Sequence, residues 1–411
     1  MKILCLAAHY PPYHAGGYGA VAHAFCEGLQ QRGHFVAVLT RKPEGDAVGP
    51  EPKLPVLRSL ATVQPGKSPW RLFANSRRNF LIVNDLLGDD DFDVVFSCGS
   101  DSMGFNTYRT AIYSSPSLTY LGDTWLAQAW RNLPAYDPYI DMARGGRKPG
   151  LGRFLKRCLG FLGCARFLRR SARPNTWGAV TVISQFVLDD LKASGAPVPN
   201  NVPFTYVPLD RSFFDTHGEP VGHDGPPSTP LRALFVSRME PLKGPDVAIA
   251  GVAAAVKVGH DVTLTLAGMR IEDMRKELQM QAETLGIADR VTLAGTPSKA
   301  ELLQHYRHHD VFLFPSRIVE GLGLVNCEAQ ACGLPIIGVA DSGAAEVIHH
   351  GVTGFRIAKN DSDAMGRHLG ELAKNRELWQ TMSANALQSA KRFHPDTILD
   401  TLEAALLAVV R

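Results

Sequence analysis

The sequence has no strong excess of charge of either sign. Among its 411 residues, 43 lysines and arginines nearly balance 40 aspartates and glutamates, which leaves a net charge of +3. Proteins that bind nucleic acid through a basic surface usually carry a much larger positive charge on the binding domain. The composition therefore argues against nucleic acid as a partner.

Long apolar runs and paired cysteines are also missing. We find no stretch long enough to span a bilayer as a helix. Residues 1–8 lack the apolar core and the cleavage site of a signal peptide. The seven cysteines are scattered, without zinc-ribbon or redox-pair spacing, so we expect buried thiols. These absences predict a cytoplasmic protein, with a peripheral position on the inner membrane face as an open alternative.

Short apolar segments alternate with amphipathic stretches in two successive series. This rhythm is typical of parallel sheets with helical crossovers. A segment rich in Pro, Gly and His, residues 202–228, separates the two series. We predict two tandem doubly wound Rossmann-like α/β domains that face each other across a cleft, with the ligand between them. The predicted domains are residues 1–205 and 206–394, and a helix at about 395–411 either caps the second domain or crosses back to the first.

The apolar runs give the approximate positions of the elements. Predicted strands are 2–7, 35–40, 93–97 and 179–183 in the first domain, and 233–237, 262–267, 291–294, 311–314 and 335–339 in the second. Predicted helices are 17–31 in the first domain, and 245–257, 272–285, 299–307 and 325–332 in the second.

Three loops after strands of the second domain suit a nucleotide. Arg238 and Lys243 precede a predicted helix, whose N-terminus adds unpaired N–H donors, so together they suit a diphosphate. Gly268 and Gly295 each follow a strand and would let a flat nucleobase approach the backbone. Taken alone, each of these features is more typical of an ordinary turn.

The segment after the fourth strand of this domain is the strongest indication of a ligand site. Glu320 precedes a glycine-containing loop, and Glu328 lies about one turn inside the helix that follows. The N–H groups of Gly323 and Leu324 can hold an anion. Two carboxylates beside an anion site suit the hydroxyls of a sugar and a ribose. The alternative is a salt bridge for Glu328 and a turn position for Glu320.

With its glycine loop between Glu320 and Glu328, this segment resembles that of the retaining family-4 glycosyltransferases of the two-Rossmann (GT-B) type. The resemblance runs through nearly the whole chain and includes Arg238 and Lys243. It implies that the two cations bind the donor diphosphate, that Glu320 contacts the donor sugar and that Glu328 binds the ribose. It also implies that the enzyme needs neither a metal nor another cofactor. The backbone N–H groups that would contact sugar and phosphate belong to Gly321, Leu322, Gly323 and Leu324.

In the first domain the resemblance is looser. Gly17 lies in a loop similar to the family's glycine loop and would face the donor phosphates. Gly122 stands where many relatives have a histidine, so Asp123 would either supply the missing polar contact or bind the acceptor. His9 is a candidate catalytic residue, although a loop histidine is more often structural. His305, His308 and His309 are interpreted as a solvated helix face rather than a metal site.

A basic segment interrupts the first domain. No acidic residue occurs from Met142 to Leu188, and ten cations lie between Arg144 and Arg173. Apolar residues within residues 144–173 keep the spacing of one helical face. Such a helix either packs on the first domain or lies on an anionic membrane surface.

These observations predict transfer of a hexose-type sugar from a nucleotide diphosphate sugar to an acceptor hydroxyl, with retention. UDP is the expected nucleotide because it is frequent in the family. The acceptor would be a glycan, a lipid-linked molecule or a small molecule. Two alternatives are a nucleotide-sugar 2-epimerase of the same architecture and a non-catalytic nucleotide-sugar-binding module.

Overall fold

The computed structural model describes residues 1–13, 17–43, 47, 50–63, 69–89, 91–99, 101–131, 178–225 and 227–410. The chain divides into two compact units. Unit 1 comprises Met1–Pro208 and Ile398–Arg411, and unit 2 comprises Leu209–Thr397. The predicted basic segment 144–173 lies outside the described residues. In the part that is described, no helix is long and apolar enough to cross a membrane.

Unit 1 is built on a six-stranded parallel sheet. Its strands are β1 Lys2–Ala7, β2 Phe35–Arg41, β3 Val56–Leu60, β4 Val94–Cys98, β5 Ser117–Leu121 and β6 Ala179–Val182. The helices described in this unit before residue 208 are α1 Gly17–Gln31, α2 Pro69–Asp89, α3 Phe105–Ser114, α4 Trp125–Arg131 and α5 Gln185–Ala193. The strand order is β3-β2-β1-β4-β5-β6, so the direction of winding reverses between β1 and β4. β4 and β5 are buried throughout, as expected for a parallel sheet with both faces covered.

Unit 2 repeats the same topology. Its strands are β7 Leu231–Val236, β8 Val262–Ala267, β9 Val291–Leu293, β10 Val311–Phe314, β11 Ile336–Val339 and β12 Gly354–Ile357. Its described helices are α6 Pro245–Lys257, α7 Ile271–Thr284, α8 Lys299–His308, α9 Leu324–Ala331, α10 Ser362–Lys374 and α11 Arg376–Ala390. The order β12-β11-β10-β7-β8-β9 reverses between β7 and β10. One core joins the inner faces of the strands to α6, α7 and α10.

The following helix, α12 Pro395–Val410, starts in unit 2 and joins unit 1 from Ile398 onward. A Cβ at Gly28 in α1 would lie 2.5 Å from a methyl carbon of Leu399, so glycine is what lets the two helices pack closely. This contact is flanked by an ion pair between Arg32 and Asp400 at 2.6 Å and by a hydrogen bond between His34 Nε2 and Glu403 at 2.8 Å.

The segment between the predicted domains is packed rather than loose. Where described, residues 202–228 contain a short 3-10 helix, Arg211–Phe213, and isolated bridges rather than strands or α-helices. Val207, Leu209, Phe213 and Phe214 are nevertheless buried. The segment is therefore part of the folded units.

Candidate active site

The loops that follow β7 and β10 meet at the carboxyl edge of the unit 2 sheet. These strands are neighbours in the sheet although they are distant in sequence. The winding direction reverses between them, and this is the position where open α/β sheets bind ligands. The predicted residues Arg238 and Lys243 come from the first loop, and Glu320 comes from the second.

Lys243 and Glu320 form an ion pair at this edge. Lys243 Nζ lies 2.5 Å from Glu320 Oε1, and each side chain is 17% exposed. Ser316 donates a hydrogen bond to the same carboxylate oxygen at 3.0 Å, and the Ser342 hydroxyl accepts one from the Glu320 N–H at 3.2 Å. Both side chains of the pair keep some solvent contact, so an anionic ligand that reaches them would compete with Glu320 for Lys243.

Gly244 and Arg317 hold the two loops together. Gly244 has φ +75°, and a Cβ there would lie 2.4 Å from the carbonyl oxygen of Pro315, so only glycine fits without a shift. Arg317 donates to the Asp246 carboxylate at the start of α6 at 2.6 Å and 2.8 Å. Sequence analysis missed Arg317, although its position beside Ser316 in the glutamate segment was a usable signal.

Arg238 is more exposed than Lys243. Its Nε lies 2.6 Å from Glu240, and Arg270 approaches the same carboxylate at 3.3 Å. Glu240 thus joins two arginines at the carboxyl ends of β7 and β8. Because all three side chains keep solvent contact, their ion pairs are weak enough to rearrange around a ligand.

The two strand-end glycines have different roles. A Cβ at Gly268 would lie 1.8 Å from the carbonyl oxygen of Ser237, and the Gly268 N–H donates to the Gly295 carbonyl at 2.8 Å. Gly268 is therefore required for backbone packing. Gly295 has φ +81°, and a Cβ there would meet no described atom within 4 Å, which leaves its outer face open to a flat group.

The glycine loop between the two glutamates rests against Gly343. The Gly343 N–H donates to the Glu320 carbonyl at 2.9 Å, and a Cβ at Gly343 would collide with the carbonyl of Gly321. Gly323, at φ +81°, is the N-cap of α9 and provides no side-chain cap, while Leu322 is buried. The Asn326 N–H donates to the Gly323 carbonyl at 2.9 Å. The N–H groups of Leu324 and Val325, at the start of α9, have no side-chain cap from Gly323 and are therefore suited to an anion.

Glu328 lies within the second turn of α9 and points to a buried phenol. Its Oε2 accepts a hydrogen bond from Tyr306 at 2.7 Å. Although part of the residue is accessible, protein surrounds the carboxylate, and burial raises the pKa of Glu328 to about 7. The Tyr306 hydrogen bond and Lys299 oppose this rise in pKa, while Asp210 adds to it. The sequence did not indicate Tyr306, Lys299 or Asp210 as neighbours of Glu328.

In unit 1, an aromatic side chain fills the place beside Gly122. A Cβ at Gly122 would lie 3.2 Å from the Tyr18 ring and 3.1 Å from the Tyr120 ring. The Gly122 N–H donates to the Tyr18 hydroxyl at 2.8 Å. The Tyr18 ring also covers Gly99, where a Cβ would lie 2.7 Å from it. Tyr18 thus occupies the space that a larger residue at position 122 would need, and sequence analysis missed it.

Of the other residues predicted in unit 1, Asp123 and His9 contact neighbouring groups, and Gly17 is exposed. Asp123 accepts a hydrogen bond from the Trp125 N–H at 2.8 Å, at the start of α4. His9 contacts Arg41, with Nε2 at 2.9 Å from the guanidinium. Gly17 is exposed at the first position of α1.

The histidines of α8 and the residue after it do not form one solvated face. His308 is exposed, but His309 contacts Thr265 with its Nε2 at 2.8 Å. Burial lowers the pKa of His309 to about 4. The interpretation as a solvated face is therefore wrong for His309, because it packs against β8. Among the described residues, no group of three His, Cys, Asp or Glu side chains is placed to hold a metal ion.

Comparison with known proteins identifies the segment that contains this site. The family model described as "Glycosyl transferases group 1" matches residues 223–389. These residues form a glycosyl transferases group 1 domain. The domain includes Arg238, Lys243, Glu320 and Glu328, and the predicted resemblance to glycosyltransferases is thereby confirmed for residues 223–389.

Curated relatives of this glycosyl transferases group 1 domain include two D-inositol 3-phosphate glycosyltransferases. The one from Actinosynnema mirum is 33% identical over 185 residues, which are 43% of this chain and 43% of the relative. The one from Streptomyces griseus is 35% identical over 182 residues, or 42% of this chain and 38% of the relative. The matched segment spans less than half the length of these relatives.

Solved structures match the fold over almost the whole chain. Anabaena Alr3699/HepE in complex with UDP is 18% identical, with a TM-score of 0.68, and the match covers 99% of this chain and 100% of that one. Sucrose-phosphate synthase from Thermosynechococcus elongatus is 17% identical, with a TM-score of 0.64 and the same coverage. The predicted class of two Rossmann-like α/β domains of the GT-B type is confirmed.

Proposed function

We propose that the protein is a retaining glycosyltransferase that moves a hexose-type sugar from a nucleotide diphosphate sugar, with UDP as the nucleotide, to an acceptor hydroxyl. The observation that carries this proposal is the Lys243–Glu320 pair at the switch point of the unit 2 sheet. A cation for phosphate and a carboxylate for sugar hydroxyls lie side by side there. Relatives named as glycosyltransferases support the reaction class.

In this proposal Lys243 binds the donor diphosphate. The diphosphate takes over the ammonium group that lies 2.5 Å from Glu320 Oε1. Arg238, which is exposed and paired with nearby Glu240, turns to the same diphosphate. The N-terminus of α9, where Gly323 supplies no side-chain cap, adds N–H donors. These groups neutralise the leaving diphosphate, so we propose that the reaction needs no metal ion.

Glu320 then receives the hydroxyls of the donor sugar. Once Lys243 has turned to phosphate, the carboxylate keeps the hydrogen bond from Ser316 and has free acceptor positions. In the chemical step, the bond from the anomeric carbon to the diphosphate oxygen breaks as the acceptor oxygen bonds to the same face. The acceptor proton passes to the departing phosphate oxygen. This assignment places the base on the donor itself and leaves Glu320 to orient the sugar.

The nucleoside lies toward Glu328 and Gly295 in this proposal. The buried carboxylate of Glu328 accepts hydrogen bonds from the ribose hydroxyls beside its bond to Tyr306. The open outer face of Gly295 receives the base. UDP is favoured as the nucleotide because the Anabaena structures of the same fold are complexes with UDP and with UDP-glucose.

The variant Glu320→Gln tests the central assignment. We expect turnover of UDP-glucose to fall about a hundredfold or more, since an oriented charge at the sugar is lost. The affinity for UDP should stay equal or rise, because the amide no longer competes for Lys243. Turnover is measured by UDP release and affinity by calorimetry.

The exposed Glu283→Gln in α7 is the matched control and should change neither quantity. A parallel loss of turnover and of UDP affinity in Glu320→Gln would show that Glu320 supports the fold rather than the reaction. UDP-sugar conversion that proceeds without any acceptor, and without UDP release, would instead favour an epimerase.

A further inference from the structure

Unit 1 contains a cationic cavity beside the carboxyl ends of β1 and β2. Its volume is about 110 Å³. The polar residues around it include His9, Tyr13, Arg41, Lys42 and Arg58. Pockets that enclose a drug-sized ligand measure at least about 300 Å³. The cavity therefore has room for a single small group rather than a whole nucleotide.

Arg41 lies in this cavity with only neutral acceptors among the described residues. The residue is 8% exposed. Its guanidinium donates to the Ala8 carbonyl at 3.0 Å, to the Thr62 hydroxyl at 2.9 Å and to His9 Nε2 at 2.9 Å. No carboxylate in the part of the chain that the structure describes pairs with it. A buried charge without a counter-charge is costly, and an anion bound in the cavity would offset that cost.

Two further cations line the same cavity. Arg58 is held by the Pro11 carbonyl at 2.6 Å and lies 4.9 Å from the centre of the Tyr13 ring. Its one described acidic partner is Glu51, whose side chain is 62% exposed. Lys42 is exposed and has no ion-pair partner in the described part of the chain. The cavity is thus lined by three cations, Arg41, Lys42 and Arg58, and the one described carboxylate that pairs with any of them is the solvent-exposed Glu51.

His9 adds to this pattern. One guanidinium nitrogen of Arg41 lies 2.9 Å from His9 Nε2 and 3.1 Å from His9 Nδ1. This contact holds the imidazole ring at the cavity wall. His9, which the sequence suggests as a candidate catalytic residue, is therefore part of the wall of the cationic cavity.

We propose that this cavity binds an anionic group, a phosphate or a carboxylate, carried by the acceptor. The assignment to the acceptor rests on the proposed function, in which Lys243 and Arg238 of unit 2 already bind the donor diphosphate. The anion would contact Lys42 and Arg58 and place its charge near Arg41. The acceptor is then a phosphorylated or uronic sugar, or a similarly charged polyol, rather than a neutral glycan.

The test uses Lys243→Ala as the background, so that the donor diphosphate site contributes little. Thermal shift and calorimetry measure binding of glucose 6-phosphate, glucuronate and glucose to this protein. The same ligands are then applied after adding Lys42→Gln or Arg58→Gln, with the exposed Lys53→Gln as the matched control. We expect one of the two anionic sugars to bind at least tenfold more tightly than glucose. Each cavity variant should remove most of that preference, and Lys53→Gln should preserve it.

Preference for the phosphate or for the carboxylate identifies which anion the cavity accepts. No preference for either anionic sugar over glucose overturns the proposal, and so does a preference that both cavity variants retain. UDP is measured separately with Lys42→Gln in the otherwise unchanged protein. A tenfold loss of UDP affinity there would assign the cavity to the donor and also overturn the proposal. If UDP and UDP-glucose do not bind the unchanged protein while anionic sugars do, the glycosyltransferase function fails and the anion site stands.

Discussion

The two sheets have the same strand order, yet the loops at their switch points are built differently. In unit 2 the reversal between β7 and β10 brings together a lysine and a glutamate, Lys243 and Glu320. In unit 1 the reversal between β1 and β4 is covered by the Tyr18 ring, which lies against Gly99 and Gly122. The same topology thus presents charge in one unit and an aromatic surface in the other.

This difference separates two tasks that a transferase site must perform. The paired charges can exchange partners with a ligand, because each keeps some solvent contact. The aromatic ring can only exclude volume and offer one hydroxyl, already bonded to the Gly122 N–H. Unit 2 is therefore suited to hold a charged donor. At the switch point of unit 1, the Tyr18 ring instead limits the volume that a ligand could occupy. The cationic cavity of unit 1 lies at the ends of β1 and β2 instead, between strands that are both on one side of the reversal.

The largest effect expected on donor binding comes from removing the positive charge of Lys243 in unit 2. Lys243→Ala should weaken UDP-glucose binding about 10- to 100-fold, since a charge-assisted hydrogen bond is worth about 1.5–3 kcal/mol. Calorimetric titration measures the change. The exposed Lys257→Ala at the end of α6 is the control and should bind normally. Unchanged affinity in Lys243→Ala would remove the contrast between the two switch points.

A second variant tests the aromatic side of the comparison. Gly122→His should lower the free energy of unfolding by about 1–3 kcal/mol, because its side chain overpacks against Tyr18 and Tyr120. Adding Tyr18→Ala should restore part of that loss, since the space beside position 122 opens. Denaturant unfolding measures both variants. A Gly122→His protein as stable as the original would mean that Tyr18 does not limit the space there.

The smallest expected effect concerns the pH dependence of donor binding. Because the pKa of Glu328 is about 7, the ionised carboxylate grows from a minor to a major fraction as pH rises through that value. Only that form is a pure acceptor for two ribose hydroxyls. UDP-glucose affinity should therefore rise about five- to tenfold between about pH 6 and about pH 8. Glu328→Gln should flatten the profile, and an equally steep profile in that variant would assign the titration to another group.

The sequence predicts most of the strands, including the edge strands β6 and β9. β1, β8 and β10 begin and end where their apolar runs do. β3, β5 and β12 were not predicted. β3 and β12 lie at sheet edges, and a polar residue interrupts the apolar run of each, Arg58 in one and Arg356 in the other. β5 lies inside the sheet and is buried throughout, but Ser117 and Thr119 interrupt its apolar run.

The site shows a similar limit. Glu320 and Glu328 stand out because they share one segment with a glycine loop. Their partners could not be found that way, since Lys243 reaches Glu320 from 77 residues away and Tyr306 comes from α8. The role of Arg41 is even harder to predict from the sequence. Its importance lies in being buried beside neutral acceptors, and burial of a single arginine at a strand end leaves no trace in spacing.

Helix α12 completes unit 1, although it is far in sequence from the rest of that unit. Leu399 fills the gap above Gly28 in α1, and Glu403 pairs with His34. On the ribosome, α1 is synthesised long before these partners exist, and all of unit 2 emerges in between. Unit 1 thus keeps an uncovered helix face during synthesis until residues 398–410 arrive. A fragment that stops at Pro208 would retain that exposed face permanently and should be prone to aggregate.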